Sequence, residues 1–442
     1  MRTRTLLFIC QFGLCTSVAA NLNSLKVESA LSEVMTIEPS SSTGINMIFV
    51  VNNPNDITLT YTSSTGGKTT WQKFYDQGLS YSQPLNVIYD HKISYLSNAE
   101  TNVGYMISDG ESEVFFWIID YSKYTFSCES LLPSSQCDCY ATVLDFLGDA
   151  KPIIFYGPTG RKNIIGRGIE LAYTTVVWDE DLNVFTEQNE VKILDSIDKE
   201  IVIIPPVYSE TSYTITGDIF SDFFDQKTEL SSSIFFPCAV DAKTTVSQDG
   251  SGNSSNTISP GTVDLGGNAP CQILFSAETT PAVIHSEWQI AFDPDFNDII
   301  YRFNDKEIEH TFSETGTYYS RFIGSNQDGS CESIGDVYTI EIGESQLLVP
   351  NFFSPNNDNI NDEWKVSHQS LTQFECWIFD KAGKQVFHFN DPSEGWDGKI
   401  NGRSVKSGVF YYVIKAVGAD KKIYDLSGDI NIISSTQKSQ TY

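Results

Sequence analysis

Short runs of β-branched and aromatic residues, bounded by Gly, Asn, Asp and Ser, recur along the first half of this chain. They fall at Asn46 to Val51, Ile57 to Thr62, Glu113 to Tyr121, Pro152 to Tyr156, Ile169 to Trp178 and Tyr213 to Thr216. Runs of that length and composition predict β-strands. In Val114-Phe115-Phe116-Trp117-Ile118-Ile119 both faces are apolar, which predicts a central strand of a sandwich. The pattern breaks from Asp241 to Pro270, a stretch of Ser, Thr, Gly, Asn and Asp with little that can pack. It reads as a flexible linker, most flexible at Gly250 to Asn256. Two further strand-rich stretches follow, Cys271 to Gly343 and Leu347 to Ser434.

The fold class expected is all-β: tandem antiparallel β-sandwich (Ig-like) domains with a small C-terminal β-sandwich. Residues 21–240 hold enough chain for one large sandwich or for two, and two are favoured, 21–125 and 126–240, divided near Phe126. The remaining divisions are a linker at 241–270, an Ig-like domain at 271–345, a terminal domain at 346–435 and a tail at 436–442.

The 442 residues include an aromatic share of 13% and only four methionines, a composition that suits strands more than helices. A formal net charge of −29 argues against a phosphate-binding surface, so nucleic acid is not an expected partner. The chain begins Met1-Arg2-Thr3-Arg4, runs apolar from Leu6 to Val18, and reaches Ala19-Ala20 before Asn21. That order predicts a secretory signal peptide over 1–20. A lipoprotein signal fits less well, because Cys10 follows Ile9 and Cys15 follows Leu14 rather than small residues. No run reaches the roughly 20 apolar residues of a transmembrane helix, so no transmembrane segment is expected. Past the signal, seven cysteines remain, and an odd number leaves at least one thiol unpaired within the chain.

Around His310-Thr311-Phe312-Ser313-Glu314-Thr315-Gly316-Thr317-Tyr318-Tyr319, closed by Asn326, a Gly turn precedes Tyr at the start of a late strand. This resembles the PKD-like branch of immunoglobulin-type sandwiches, whose repeats serve as spacers on bacterial surface proteins. Cys271 and Cys331 stand at the two ends of that module in sequence, and a disulfide between them is expected.

The most specific sequence lies at the end. It reads Pro350-Asn351-Phe352-Phe353-Ser354-Pro355-Asn356-Asn357-Asp358-Asn359-Ile360-Asn361-Asp362-Glu363-Trp364, then Trp377 to Phe387 around Gly383. Gly395-Trp396-Asp397-Gly398, Ser407-Gly408-Val409-Phe410 and Gly428 to Ile433 follow. In order and spacing these pieces resemble the gliding-motility-associated C-terminal domain of Bacteroidetes-type bacteria, a type B sorting signal of the type IX secretion system. The resemblance implies type IX machinery in the outer membrane as a partner, and secretion or cell-surface display via the periplasm. It assigns the sorting motif to Pro355, Asn356, Asp358, Asn361, Asp362, Gly383, Gly395, Trp396, Asp397, Gly398, Gly408 and Gly428. Asn357 and Asn359 stand where the family has glycine, and Asn tolerates φ > 0 best among the other residues. Lys381-Ala382-Gly383 replaces the family's Arg-Trp-Gly. Cys376, between core residues of one strand, is the expected buried free thiol.

Catalytic chemistry is not legible. Gly157-Pro158-Thr159-Gly160-Arg161-Lys162 imitates a phosphate loop, but lacks Gly-Lys-Ser/Thr before a helix and reads as a hairpin turn. Cys137-Asp138-Cys139 with Cys128 and Cys238 could gather a metal; one-residue spacing suits disulfides to different partners better. Asn356, Asp358, Asn361 and Asp362 offer oxygens for calcium, against Asx turns as the plainer reading. Asp195-Ser196-Ile197 matches a short O-glycosylation pattern at Ser196, against an exposed acidic turn. No cofactor is expected. Two functions remain open: a non-enzymatic surface protein that captures an unknown surface ligand, adheres or builds structure, and a secreted hydrolase with its site in residues 21–240.

Overall fold

The computed structural model describes residues 24–110, 112–248, 256–258 and 264–433. The expected signal peptide, the tail and most of Gly250 to Asn256 lie outside the described residues. Among the described residues the chain is all-β with one short α-helix, Ile219–Phe223, and it divides into two compact units, Met1–Val177 with Thr186–Ala239, and Trp178–Phe185 with Val240–Tyr442.

In the first unit a four-stranded sheet and a six-stranded sheet enclose a core of Leu59, Tyr61, Trp71, Val114, Phe116 and Ile118. Glu113–Asp120 lies inside the six-stranded sheet, antiparallel to Val103–Ser108 and parallel to Met47–Val51. That parallel pairing departs from the antiparallel expectation. Its even-numbered apolar residues fill the sandwich, while Trp117 and Ile119 point away into a second cluster. There they meet Ile153, Phe155, Ile165 and Phe220, all from beyond residue 126. The two-sided apolar strand is therefore covered on one face by its own sandwich and on the other by the following one. Residues 126–239 form their own core around Leu144, Phe146, Ile169, Leu171, Tyr213 and Ile215.

A buried ion pair ties these two cores. Arg167 and Asp218 are both fully buried, with Nε to Oδ2 at 2.7 Å. Arg167 also donates to the carbonyls of Lys151 at 2.9 Å and Tyr124 at 2.5 Å. Asp218 caps the helix Ile219–Phe223, accepting from the Ser221 N–H at 2.8 Å, and accepts Tyr121 Oη at 2.8 Å. Burial, then the Asp218 charge, pushes the Tyr121 hydroxyl well above the usual tyrosine range. Gly157 to Lys162 is the expected hairpin turn, joining Ile153–Tyr156 to Lys162–Ile165.

In the second unit Ala242–Gln248 pairs along its whole length with Cys271–Thr279, so the start of the expected linker is a strand of the Ig-like sandwich. Alternating Ala242, Thr244 and Val246 give it a face to lay on the sheet, a weak period that polar composition hid. That sandwich closes over Phe275, Trp288, Ile290, Phe322 and Ile340. The terminal module is a five-stranded sheet with Phe353, Trp364, Cys376, Ile378, Trp396, Ile414 and Ile430 beneath it.

The cysteines differ from expectation at one place. Cys271 is a free, buried thiol donating to the Gly266 carbonyl at 3.5 Å, whereas Cys331 is disulfide-bonded, so the Cys271–Cys331 bridge is not formed. Cys271 pairs in register with Phe312, near the start of Gly316–Ser325, and Cys331 follows the other end of that strand. A strand of that length spans about 30 Å, far beyond disulfide reach. Cys137 bonds Cys238 with an S–S length of 2.06 Å, and Cys139 is also oxidised. These bonds overturn the metal reading of Cys137 and Cys238. Cys376 is free and fully buried, as expected, its thiol pushed up to about 12 by burial.

Two outcomes follow from these contacts. Asp218→Ala strands a buried guanidinium and uncaps the helix, and urea unfolding should report a loss of about 3–5 kcal/mol. Asp218→Ala as stable as the parent would remove this pair from the account of the unit. Maleimide labelling of the native protein should modify half-buried Cys128 first and reach Cys271 and Cys376 only on unfolding.

Candidate functional site

The turn Pro355 to Asp362 is organised by one side chain. Asp362 Oδ1 accepts the N–H groups of Asn356 at 2.8 Å and Asn357 at 2.7 Å, and Oδ2 accepts that of Asn359 at 2.7 Å. Asp358 Oδ1 accepts the Ile360 N–H at 2.9 Å, and the Ser354 N–H reaches the Asn361 carbonyl at 2.8 Å. Asn357, Asn359 and Asn361 take φ of 61°, 65° and 52°. An L-residue other than Asn or Asp pays a steric cost there, so three Asn at alternate positions fit a loop that winds its amides inward. Desolvation raises the Asp362 carboxyl pKa, but the backbone N–H bonds outweigh it and hold it below the usual carboxylate range. The oxygens expected as calcium ligands at Asn356, Asp358 and Asp362 are thus occupied by hydrogen bonds within the turn.

The second motif lies inside the module. Trp396 is fully buried, and its N–H and carbonyl exchange bonds with those of Trp364 at 3.0 and 2.9 Å. Its ring packs against Phe353 at 5.6 Å and edge-on to Phe410 at 4.9 Å, while Nε1 donates to the Lys399 carbonyl at 3.1 Å. Such aromatic contacts each contribute about 0.5–1.5 kcal/mol beyond area burial. A Cβ on Gly395 would lie 2.4 Å from Lys365 Cγ, and Gly398 has φ of 71° with Phe353 and Pro355 close by. Asp397 binds Lys399 Nζ at 2.7 Å, and that bond lowers its pKa. Gly428 pairs with Tyr412, and a Cβ there would meet Tyr412 Oη at 2.7 Å, so it leaves room for the ring that packs on Trp364. Gly383 turns the hairpin from Leu371–Phe379 to Gln385–Phe389, and Gly408 opens the strand Gly408–Gly418.

The motif residues divide by exposure. Trp396 and the close-packed glycines serve the fold, whereas the turn from Asn356 to Asn361 is exposed. Two residues carry more than their sequence suggested. Trp364 sends Nε1 to the Pro350 carbonyl at 2.7 Å, fixing the strand before the turn. Asn256 is 9% exposed and donates from one side-chain amide to the carbonyls of Val366 at 3.0 Å and Pro392 at 2.8 Å. Thr257 adds a bridge to His368. No local pattern marks Asn256, because its partners lie more than a hundred residues away. Ser196, the glycosylation candidate, is half-buried between exposed Asp195 and buried Ile197.

Among the described residues no helix is long and apolar enough to cross a membrane. Residues 132–232 match the model of the fibronectin type III domain, and residues 347–430 that of the CHU_C type IX secretion signal domain. No curated protein matches the chain. Among solved structures, a tetra-tandem repeat from the extending region of a large adhesion protein matches at 11% identity and TM-score 0.22, covering 86% of this chain and 96% of its own. The FN1-FN3 domains of chicken CNTN1 match at 9% identity and TM-score 0.24, covering 69% and 98%. Likenesses at these scores carry no argument about function. Sequence and fold agree on the end of the chain: its C-terminal module is a type IX secretion signal domain, with a fibronectin type III domain preceding it in the sequence.

Proposed function

We propose that this chain is a non-enzymatic protein delivered through the type IX machinery to the cell surface or medium, where its N-terminal sandwiches bind a ligand or build structure. The observation that carries delivery is the match of residues 347–430 to a secretion signal domain. Its motifs are realised here as a five-stranded sheet and an exposed turn that is already bonded to itself. A label ordered before recognition loses little conformational entropy on binding.

Support for a binding role comes from the first unit. Leu132, Leu147, Val202 and Ile204 are 52%, 59%, 46% and 72% exposed. Leu132, Leu147 and Val202 alternate with the inward Leu131, Phe146, Ile201 and Ile203, so they share the outer face of one three-stranded sheet, and Ile204 directly follows its third strand. An apolar face left in water favours a surface that meets a partner. The models matched, a fibronectin type III domain and a secretion signal, are not catalytic domains.

Ending the chain before Leu347 should leave a folded protein in the periplasm of a type-IX-competent host. Fractionation and surface proteolysis measure this, and normal delivery of the shortened chain would defeat the sorting assignment. The turn gives a pH dependence of known sign. Because the folded Asp362 pKa is lowered, its contribution is complete above the ordinary carboxylate pKa and is lost as pH falls through the folded value. Amide exchange at Asn356, Asn357 and Asn359 should stay protected through mild acid and open only below the usual Asp range. Asp362→Ala should expose all three amides at every pH.

A further inference from the structure

Beside the Asp362 turn the terminal module has a cleft of ≈ 680 Å³. Its apolar side is Leu348, Val349, Pro350 and Phe352, with Leu348 53% and Phe352 50% exposed. The turn lines it too, through Asn359, Asn361 and Asp362, as do Glu363 and Lys365. Asn256, from between the first two long strands of the Ig-like sandwich, also lines it. Phe352 and Leu348 face water while their neighbours Phe353 and Leu347 are buried at 1% and 8% exposure. Neither is needed by the core.

The geometry points to this cleft as the docking site for a component of the secretion machinery, through an extended segment that pairs apolar side chains with Lys or Arg. This rests on the sorting reading above and adds where the label is read and by what chemistry. Three observations fix the occupant. A secretion signal must be read at its surface, and Trp396, Gly395, Gly398 and Gly428 are engaged inside the module, which leaves the turn and what adjoins it. The wall of the cleft and the turn carry Asp358, Asp362 and Glu363 against one cation, Lys365, which Glu363 already binds at 2.9 Å. A net acidic wall on a chain of charge −29 steers basic partners and repels acidic ones. Leu348 and Phe352 supply the desolvated apolar contact that such a rim surrounds in a specific interface.

The cleft is composite. Asn256 lies outside the matched residues 347–430, yet it lines the cleft and its amide bonds to Val366 and Pro392 fix it to the terminal module. The surface that is read therefore includes chain from before the matched domain.

The test uses the full-length chain in a type-IX-competent host and compares surface with periplasmic protein. Leu348→Glu with Phe352→Glu places charge on the apolar side, and Glu363→Lys, exposed and outside the core, reverses the rim. Ile423→Glu, at a residue 78% exposed and outside the cleft, is the control. The double variant and Glu363→Lys should each lower the delivered fraction at least tenfold, about 1.4 kcal/mol of lost binding, with thermal unfolding unchanged. Ile423→Glu should be delivered like the parent. Parental delivery of Glu363→Lys and the double variant, while the chain ending before Leu347 stays in the periplasm, overturns the cleft and leaves the sorting reading standing. Delivery of that shortened chain overturns both. An equal loss in Ile423→Glu shows a general penalty for surface charge and also overturns the cleft.

Discussion

The strand Glu113–Asp120 has no face that water can take, and the first unit is arranged around that constraint. One side of it is Val114, Phe116 and Ile118, the other Trp117 and Ile119. A single two-sheet sandwich covers only one side of each sheet. The second side is covered by residues 153–165 and Phe220, which belong to the following sandwich by sequence. The fully buried Arg167 and Asp218 are placed where the two cores meet. Beyond bonding each other, they are held by Tyr121, the Ser221 N–H and the carbonyls of Lys151 and Tyr124. A buried pair of this kind adds little net stability over apolar packing but punishes any arrangement that breaks it. It therefore selects one way for the two sandwiches to meet.

The terminal module solves a different problem, which is to be both rigid and legible. Its rigidity comes from aromatic packing, with Trp364 and Trp396 exchanging backbone bonds and Phe353, Phe410 and Tyr412 filling around them. Its exposed turn is stiffened by one carboxylate that gathers three amides. Asn at alternating positions meets the φ demand that glycine otherwise meets, and leaves less freedom to lose. The residues that make the motif recognisable are thus of two kinds, those that build the platform and those that stand on it.

Much of this could be read from the residues. The all-β class, the two-sided strand, the hairpin turn at Gly157 to Lys162 and the buried Cys376 follow from period and turn chemistry, which are properties of neighbouring residues, while the terminal module was legible through the resemblance of its ordered motifs to a known family. The tertiary structure decided what depends on partners far along the chain. Ala242–Gln248 became a strand because Cys271–Thr279 offered it a full register, not because its own composition demanded one. Cys271 stayed reduced because a strand spanning about 30 Å separates it from Cys331, although sequence put both at the ends of one module. Asn256 became a fixed part of the terminal module through carbonyls that no local pattern names. Local propensity is written residue by residue, whereas a disulfide, a shared core or a cleft exists only once the chain brings distant atoms within a few ångströms.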